Sequence, residues 1–447
     1  SICFSNSYSP KCTITKEGKM MDRKKPESHL DVYENRYELH QNDVVSVYYE
    51  GYQNADAQRR YAKINHELEH GYLDKMISKL SEVDYSDLSE RNKGLIKNLV
   101  DGITSEVGRA LVGVAFLQLT IKSICPDQSI RLHKGATRRG SFSWEDGISM
   151  RTIDSNYSTP FLRKHGLLNV NKFGVFMTRS LAENYPYSKL YKADMRGPFD
   201  QWIEIVDALE DGSMPATLGL CYITAQMKNR SDAFTAMADQ AIDLANRYRH
   251  LTFDGVKNFI TNFVNETEYS ARAFEIVIHG FMQAMHESHL LGDLDLVPMS
   301  QMRSANKKHG NIGDVELREG RVIVEAWDAK YGKPYLRDEL EELRDKILTS
   351  PGVKVAGFIV DSTVDRRKDI VRRAEEIEAE TGVSILLLSF SEWLEYQTKR
   401  ISKTQLDEIG KRWLIAVVES FAQRRLEIAP IDEPCEAWVQ DLIARLK

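Results

Sequence analysis

The chain has 447 residues, with 60 Lys and Arg against 66 Asp and Glu, and carries a formal net charge of −6. Its apolar fraction of 42% and charged fraction of 28% exclude a chain that is disordered over most of its length, because enough apolar surface is present to form a core. No run approaches the roughly 20 apolar residues that cross a bilayer, so we expect no membrane-spanning helix and roughly two or three domains.

The N-terminal segment is polar. Residues 1–30 lack the continuous apolar stretch of a secretory signal, so we expect a disordered or peripheral leader and a cytoplasmic protein. The 5 cysteines are widely spaced and include no C-x-x-C pair, which argues against a disulfide framework or a structural zinc site. The chain also has no P-loop motif, so we expect no nucleotide cofactor.

Residues 31–265 are predicted to be mostly helical. Apolar side chains recur at three- and four-residue steps over residues 54–124, and a similar pattern returns over residues 199–264. The segment 126–196 between them is rich in Gly, Pro, Ser, Asn, Tyr and Arg, which predicts loops and short strands. We interpret this segment as a recognition region within a large N-terminal part.

The order of elements changes after residue 265, where we expect a domain boundary. A helix over 271–287 is followed by a polar loop over 298–313 and by two strands joined at a turn, 314–317 and 321–330. The remaining predicted elements are a helix at 335–348, a strand at 353–360, a helix at 366–381, a strand at 383–390, and helices at 392–400, 404–425 and 437–446. Strands that alternate with crossover helices predict an α/β domain over residues 266–447.

The strand predicted over 321–330 carries charged residues at its far end. Side chains alternate across a strand, so Asp328 and Lys330 share the face that Val324 occupies nearer the start. A hairpin with the preceding strand would bring Asp314 beside Asp328. The pattern predicts a strand that is buried in its first half and chemically active where it leaves the sheet.

Two carboxylates held close together repel each other unless a cation neutralises them, and Mg²⁺ takes oxygen ligands of this kind. Bound Mg²⁺, or Mn²⁺ in its place, acidifies a coordinated water and stabilises the charge on a scissile phosphate. Lys330 is suited to contact that phosphate or to orient the water. Glu275 lies in an apolar stripe of the helix 271–287 and needs a partner there, which the metal or a metal-bound water would provide.

Other interpretations stay open from the sequence. A D-x-K triplet occurs often by chance, and charged residues at a strand end are usually just solvated. The Gly-Asp pair upstream and the Glu within the preceding helix favour a functional site. Glu325 competes with Asp328 as a ligand if a bulge shifts the strand register, and Glu316 is a second competitor.

The segments GDVEL and VIVEAWDAKYGK resemble the PD-(D/E)xK nuclease superfamily. Asp314, Asp328 and Lys330 stand at its three motif positions, and Glu275 matches the acidic residue that many members carry on the first core helix. Gly313 replaces the Pro of the motif, and Asp328 stands where Glu is more frequent. The resemblance covers roughly residues 271–400, under a third of the chain.

Within that superfamily, the chain is similar in size and in the loop SQMRSANKKHGNIGD to type II restriction endonucleases, and in overall texture to the SacI-like family. The resemblance implies a PD-(D/E)xK core with a mixed sheet flanked by helices. It also implies a homodimer that cuts both strands of a short palindrome in double-stranded DNA and leaves 5′-phosphates.

Two basic clusters are candidate DNA contacts. The first precedes Asp314 and would clamp the phosphate backbone; it consists of Arg303, Lys307, Lys308 and His309. The second lies in the segment 126–196 and would reach guanine edges in the major groove; it consists of Arg131, Lys134, Arg138 and Arg139. Solvated surface loops are the alternative for both clusters.

The sequence therefore predicts a Mg²⁺-dependent type II restriction endonuclease. Asp314, Asp328 and Glu275 would hold the metal, and Lys330 would act on water and phosphate. A structure-selective repair or junction nuclease of the same fold is an alternative. A non-catalytic DNA-binding protein on a nuclease fold is another, although the complete Asp-Asp-Lys set argues against it.

Overall fold

The computed structural model describes residues 28–41, 43–104, 107–138, 142–248, 252–299, 311–333, 335–399, 401–422 and 435–447. Its described part combines a three-stranded sheet near the N-terminal end, a five-stranded mixed sheet in the second half, and many helices. The prediction of an α/β protein is confirmed at this level. No helix in these ranges is long and apolar enough to span a membrane.

An antiparallel sheet opens the described chain, with strand order β1-β2-β3; its strands are β1 His29–Val32, β2 Arg36–Gln41 and β3 Val44–Tyr49. The region 31–265 was predicted to be mostly helical, and this sheet at its start was not anticipated. Tyr37 and Leu39 alternate with polar residues along β2 and are buried, and Tyr37 packs edge-on against Trp144. These strands are short and depend on distant packing partners, so local periodicity does not reveal them.

The helices of the first half surround one hydrophobic core; they are α1 Ala55–Glu69, α2 Tyr72–Ser78, α3 Glu90–Asp101, α4 Arg109–Ile124, α5 Met150–Ile153, α6 Thr159–Lys164, α7 Phe199–Glu210 and α8 Ala216–Arg247. Asn54 and Ser89 cap α1 and α3 by accepting a backbone N–H with their side chains. Residues 111–122 of α4 are all buried, which makes this helix the centre of the first core.

The segment 126–196 contains no strand among its described residues, contrary to the prediction of short strands. It is built from α5, α6, a π-helical turn at Asp154–Ser158, and 3₁₀ turns at Val175–Met177 and Arg179–Ala182. The buried Asp154 carboxylate accepts hydrogen bonds from Thr159 Oγ1 at 2.8 Å and from the Val175 backbone N–H at 2.7 Å. These bonds hold the π-helical turn against the 3₁₀ turn at Val175–Met177, and among the described residues the segment pairs with the first sheet only at an isolated bridge between Glu50 and Trp144.

The second half contains the larger sheet, in the order β4-β5-β6-β7-β8, with strands β4 Asp295–Leu296, β5 Val315–Glu319, β6 Val322–Lys330, β7 Val355–Val360 and β8 Ser384–Ser389. β4, β5 and β6 pair antiparallel, whereas β6, β7 and β8 pair parallel. Its helices are α9 Phe253–Glu266, α10 Ser270–Glu287, α11 Arg337–Leu348, α12 Lys368–Thr381, α13 Phe390–Thr398, α14 Lys403–Ala422 and α15 Cys435–Leu446. The sheet is therefore mixed.

Helices cover both faces of this sheet. On one face, Val315, Trp327 and Ile359 belong to the core formed with α10, α13 and α14. On the other face, Ala326 and Phe358 pack in the core formed with α11 and α12. Because side chains alternate along β6, Asp328 and Lys330 belong to the face of Ala326, where α11 lies.

The two largest hydrophobic cores meet along the long helix α8. Met227 of α8 belongs to the first core and Phe234, two turns later, to the second. α9 buries Val256 and Ile260 in the second core as well. The division between cores therefore lies within α8, whereas the boundary predicted near residue 265 coincides with the end of α9.

Candidate metal centre

The β5–β6 hairpin brings Asp314 and Asp328 together. Val315 at the start of β5 pairs with Trp327, so the residues just outside this pair, Asp314 and Asp328, are neighbours. Asp314 Oδ2 accepts a hydrogen bond from the Ala329 backbone N–H at 2.9 Å. The Asp328 carboxyl group is close enough to raise the pKa of Asp314. The two acidic residues singled out in the sequence thus share one site.

The structure explains why Gly313 stands where the PD-(D/E)xK motif, which this segment resembles, has Pro. A Cβ atom at this position would lie 2.5 Å from the Trp327 carbonyl oxygen and 2.7 Å from its carbonyl carbon. The Gly313 N–H and the Ile312 N–H both donate to Glu316 Oε1, at 3.3 Å and 2.6 Å. A Pro here would clash with the β6 backbone and lose one of these donors.

Glu316 therefore anchors the loop that carries Asp314. Its side chain is buried, and burial raises the pKa of its carboxyl, although the two backbone N–H donors partly oppose that shift. The sequence presented Glu316 only as a competing ligand. Its anchoring role depends on the local turn that brings the Ile312 and Gly313 N–H groups to its carboxylate.

Glu325 is excluded from the site by its position on the opposite face of β6. Its Oε1 accepts hydrogen bonds from Trp327 Nε1 at 2.5 Å and from Gln397 Nε2 of α13 at 3.0 Å. The hairpin does contain a register shift, but it lies between Leu317 and Arg318. The alternation from Glu325 to Lys330 is undisturbed, since every residue of this stretch pairs in register with β7.

The electrostatics of the site are those of crowded carboxyl groups. Burial raises the pKa of Asp314 well above its ordinary range, and the carboxylates of Asp328 and Glu275 raise it further. The Ala329 N–H opposes this only in part. Without a metal ion, a proton on Asp314 relieves the repulsion between the two carboxyl groups, and the Lys330 ammonium offsets the charge of Asp328. A divalent ion bound in place of that proton would do the same, and the all-oxygen donor set suits Mg²⁺.

Lys330 provides the positive charge beside these acids. Its Nζ lies 2.9 Å from Asp328 Oδ2 and 2.9 Å from Glu339 Oε2 at the start of α11. Burial alone would lower the pKa of Lys330, but the carboxylates of Asp328 and Glu339 hold it above its ordinary value. Lys330 is therefore a cation at neutral pH. Glu339, which the sequence did not single out, orients it from the neighbouring helix.

Glu275 faces the site from α10. The guanidinium of the buried Arg272, one turn earlier, pairs with its carboxylate. Burial raises the pKa of Glu275, the Arg272 guanidinium lowers it, and the Asp328 carboxylate raises it. The ionisation of Glu275 therefore depends on the charge of Asp328.

Glu275 nevertheless stands back from the pair formed by Asp314 and Asp328. In the part of the chain that is described, a single set of three His, Cys, Asp or Glu side chains has ligand atoms that all lie within 4.8 Å of one another. That set lies in the N-terminal sheet and does not include Glu275. Of the two roles predicted for Glu275, contact through a metal-bound water fits this position better than direct ligation.

The members of the second basic cluster predicted to bind DNA differ in their exposure to solvent. Arg131 is buried and donates to the Tyr187 carbonyl oxygen and to Asp207 Oδ1, both at 2.6 Å. These bonds give Arg131 a structural role and leave its guanidinium no open face for a base edge. Lys134 is half-buried, and its Nζ donates to Asn184 Oδ1 at 2.5 Å. Arg138 is exposed and stays a candidate contact.

The remaining basic candidates, which are Arg139, Arg303, Lys307, Lys308 and His309, lie outside the described residues. Their predicted contacts with DNA therefore stay predictions. The described chain resumes at residue 311, directly before the loop that carries Asp314. The cluster that includes Arg303 is thus adjacent in sequence to the candidate metal centre.

Comparison with known proteins gives no family assignment. No protein-family model matches this sequence, and no curated protein is significantly similar to it. The functional conclusion therefore depends on the geometry of the site and on the resemblance of its motif.

Proposed function

We propose that this protein is a Mg²⁺-dependent endodeoxyribonuclease on a PD-(D/E)xK core. The observation that carries the proposal is the convergence of Asp314, Asp328 and Lys330 at one end of the β5–β6 hairpin, with Lys330 Nζ 2.9 Å from Asp328 Oδ2. The mixed sheet with helices on both faces is the architecture that the resemblance implies.

Each side chain has a role that follows from its charge and position. Asp314 and Asp328 would hold the ion through their oxygens, and Glu275 would orient a water of its coordination shell. When bound, Mg²⁺ supplies an acidified water and positive charge against the phosphate. Lys330 is protonated, so it donates hydrogen bonds to a phosphate oxygen or to the attacking water and does not act as a general base.

Within this activity, we propose a type II restriction endonuclease that acts as a homodimer on a short sequence of double-stranded DNA and leaves 5′-phosphates. This finer assignment comes from the resemblance of the motif and of the preceding loop. It is supported by the large N-terminal half, which offers a separate surface for sequence recognition, with Arg138 exposed in the segment 126–196.

Digestion of a phage genome with the full chain and Mg²⁺, followed by sequencing of the ends, tests both levels of the proposal. We expect discrete fragments whose ends share one short sequence and carry 5′-phosphates. Fragments without a common sequence, together with preferred cleavage of branched DNA, would indicate a repair or junction nuclease instead. Absence of cleavage on every DNA with Mg²⁺ and with Mn²⁺ would reject the enzyme and favour a DNA-binding protein.

A further inference from the structure

A second group of metal-ligand side chains lies on the outer face of the N-terminal sheet. In the register of β1 and β2, His29 stands opposite His40 and Asp31 stands opposite Glu38. Because side chains alternate along each strand, these four residues share one face. The other face carries the buried Leu39, which packs toward the interior.

Three ligand atoms of this group converge on one point. Asp31 Oδ2 lies 3.5 Å from His29 Nε2 and 3.4 Å from His40 Nε2. The two imidazole rings stack with centroids 4.1 Å apart and planes 9° from parallel. In the described chain, this is the one set of three such side chains whose ligand atoms all lie within 4.8 Å of each other.

These separations match the edges of a coordination tetrahedron. Zinc–nitrogen and zinc–oxygen bonds of about 2.0–2.1 Å place the ligand atoms of a tetrahedral site about 3.3 Å apart. The distances from Asp31 Oδ2 to the two imidazoles are close to that value. One ion placed beyond the three atoms would therefore reach all of them with little movement of the side chains.

Hydrogen bonding does not account for the arrangement. A bond from an imidazole N–H to a carboxylate oxygen would be roughly 2.7–3.2 Å long, shorter than the 3.4 Å between His40 Nε2 and Asp31 Oδ2. His40 Nε2 is shielded from solvent and makes no hydrogen bond. A shielded ring nitrogen that lies 3.4 Å from a carboxylate oxygen without a hydrogen bond is suited to bind a metal ion together with that oxygen.

Glu38 is a further candidate ligand on the same face, although it lies outside the set of three whose ligand atoms are all within 4.8 Å of one another. Glu38 Oε2 lies 3.9 Å from His40 Nε2, while Glu38 Oε1 accepts a hydrogen bond from Arg36 Nε at 2.7 Å. Arg36 thus fixes the Glu38 carboxylate through Oε1, and Oε2 is the oxygen that would bind a cation. Either this oxygen or a water would complete four-coordination.

We propose that His29, Asp31 and His40 form a binding site for a divalent transition-metal ion of the zinc class. Two imidazoles and a carboxylate are ligands for such borderline ions, in contrast to the oxygen-only set at Asp314 and Asp328. The ion would tie the edge strand β1, which has only four residues, to β2. The site is independent of the proposed nuclease activity.

Titration of the metal-free full chain with Co²⁺, followed by displacement with Zn²⁺, tests the proposal. Tetrahedral Co²⁺ with nitrogen and oxygen ligands absorbs visible light, so we expect one such band, which Zn²⁺ abolishes. The variants His40→Ala and His29→Ala, each tested separately, should lose the band and weaken Zn²⁺ binding by at least about tenfold. Zn²⁺ should raise the melting temperature of the wild type and not that of either variant.

Two controls separate this site from other ways of binding the ions. The double variant His66→Ala/His70→Ala removes another stacked pair, with ring centroids also 4.1 Å apart, that has no carboxylate in a comparable position. The variant Asp328→Asn disables the candidate nuclease centre. Both should keep the Co²⁺ band.

Persistence of the band in both His40→Ala and His29→Ala, its loss in either control, or absence of tetrahedral Co²⁺ binding by the wild type would overturn the proposal. If one imidazole variant fails to fold, as judged by its circular dichroism, the other imidazole variant and Asp31→Asn decide the question by the same readout.

Discussion

The two sheets of this molecule both use strand register to gather charged side chains, but they place them in different surroundings. In the second half, Asp314 and Asp328 meet at the end of a hairpin that helices bury on both faces. In the first half, His29, Asp31 and His40 meet on an outer face that is partly open to solvent. Burial therefore sets the pKa of Asp314, whereas the outer cluster depends on ligand type and spacing.

Under the two proposals, strand register brings together ligand side chains for two different kinds of metal ion. Crowded, buried carboxylates beside a lysine favour a hard cation and a phosphate. Imidazoles opposite one another on an antiparallel pair favour a zinc-class ion that ties the strands together. The tests below disturb one half at a time and ask whether the other half responds.

The largest effect is expected from the buried centre. Asp314→Ala, Asp328→Ala and Lys330→Ala should each reduce cleavage by at least about 10²–10³-fold, because each removes charge stabilisation from the transition state. DNA binding, measured in Ca²⁺ or without metal, should survive. Glu325→Gln is the matched control, since Glu325 lies on the same strand but faces α13. Full cleavage activity in any of the three alanine variants would reject the assigned site.

A large pH effect is expected from the first half, at His133. Burial lowers the pKa of His133 to about 4, and the nearby Lys134 lowers it too. The unfolded chain binds this proton below about pH 6.5, and the folded chain does not. Stability should therefore fall by on the order of 3 kcal/mol between about pH 6.5 and pH 4.

Urea denaturation of the wild type and of His133→Phe across this pH range checks the prediction. The phenylalanine ring keeps the stacking against Phe176 and Tyr187 but does not titrate, so the stability of the variant should decline less steeply. Equal slopes for the two proteins would contradict the role given to His133.

A smaller effect is expected from the loop before Asp314. Gly313→Ala should destabilise the protein by about 1–3 kcal/mol, because its Cβ would press on the Trp327 backbone. It should also lower cleavage by displacing Asp314. In the first half, Gly94→Ala is the control: nothing lies within 4 Å of its Cβ position in α3. That change should stabilise the helix by about 0.5–1 kcal/mol. Thermal melts of both variants check the two signs: a higher melting temperature for Gly313→Ala, or a lower one for Gly94→Ala, would contradict the prediction.

The smallest effect is expected in the metal-free protein. The pKa of Asp314 is raised in the folded state, so the folded protein holds this proton more tightly than the unfolded chain does. The free energy of unfolding therefore decreases as the pH rises through the folded-state pKa. Asp314→Asn should therefore raise the melting temperature at neutral pH without metal while abolishing cleavage. The exposed Asp338→Asn should change stability by less than about 0.5 kcal/mol. A lower melting temperature for Asp314→Asn would mean that the carboxylates do not repel as described.

Several features of the site were accessible from local pattern. Alternation along β6 is enough to place Asp328 and Lys330 on one face, and a turn between two predicted strands is enough to bring Asp314 beside them. Helix periodicity likewise predicted α10 and the placement of Glu275 within it. These inferences succeed because they depend on residues close together in the chain.

Other roles were not accessible in this way. Arg131 was predicted to reach DNA, yet it is buried against Asp207, which is distant in sequence. Glu316 and Glu325 looked like possible ligands, but the Glu316 carboxylate anchors the turn just before it, and the Glu325 carboxylate accepts a hydrogen bond from the distant Gln397 of α13. Pairing with residues far along the chain decides whether a charged side chain is exposed, and such pairing leaves no periodic trace.

The sequence alone therefore determined the α/β order of the second half and the shared face of its Asp-x-Lys strand, because strand periodicity is local. Only the tertiary structure decided that the first half contains a sheet, that His29 meets His40 across it, and that Glu339 holds Lys330. Strand register and the packing of helices on sheets bring residues together over long separations, and they are set by the burial of the whole core.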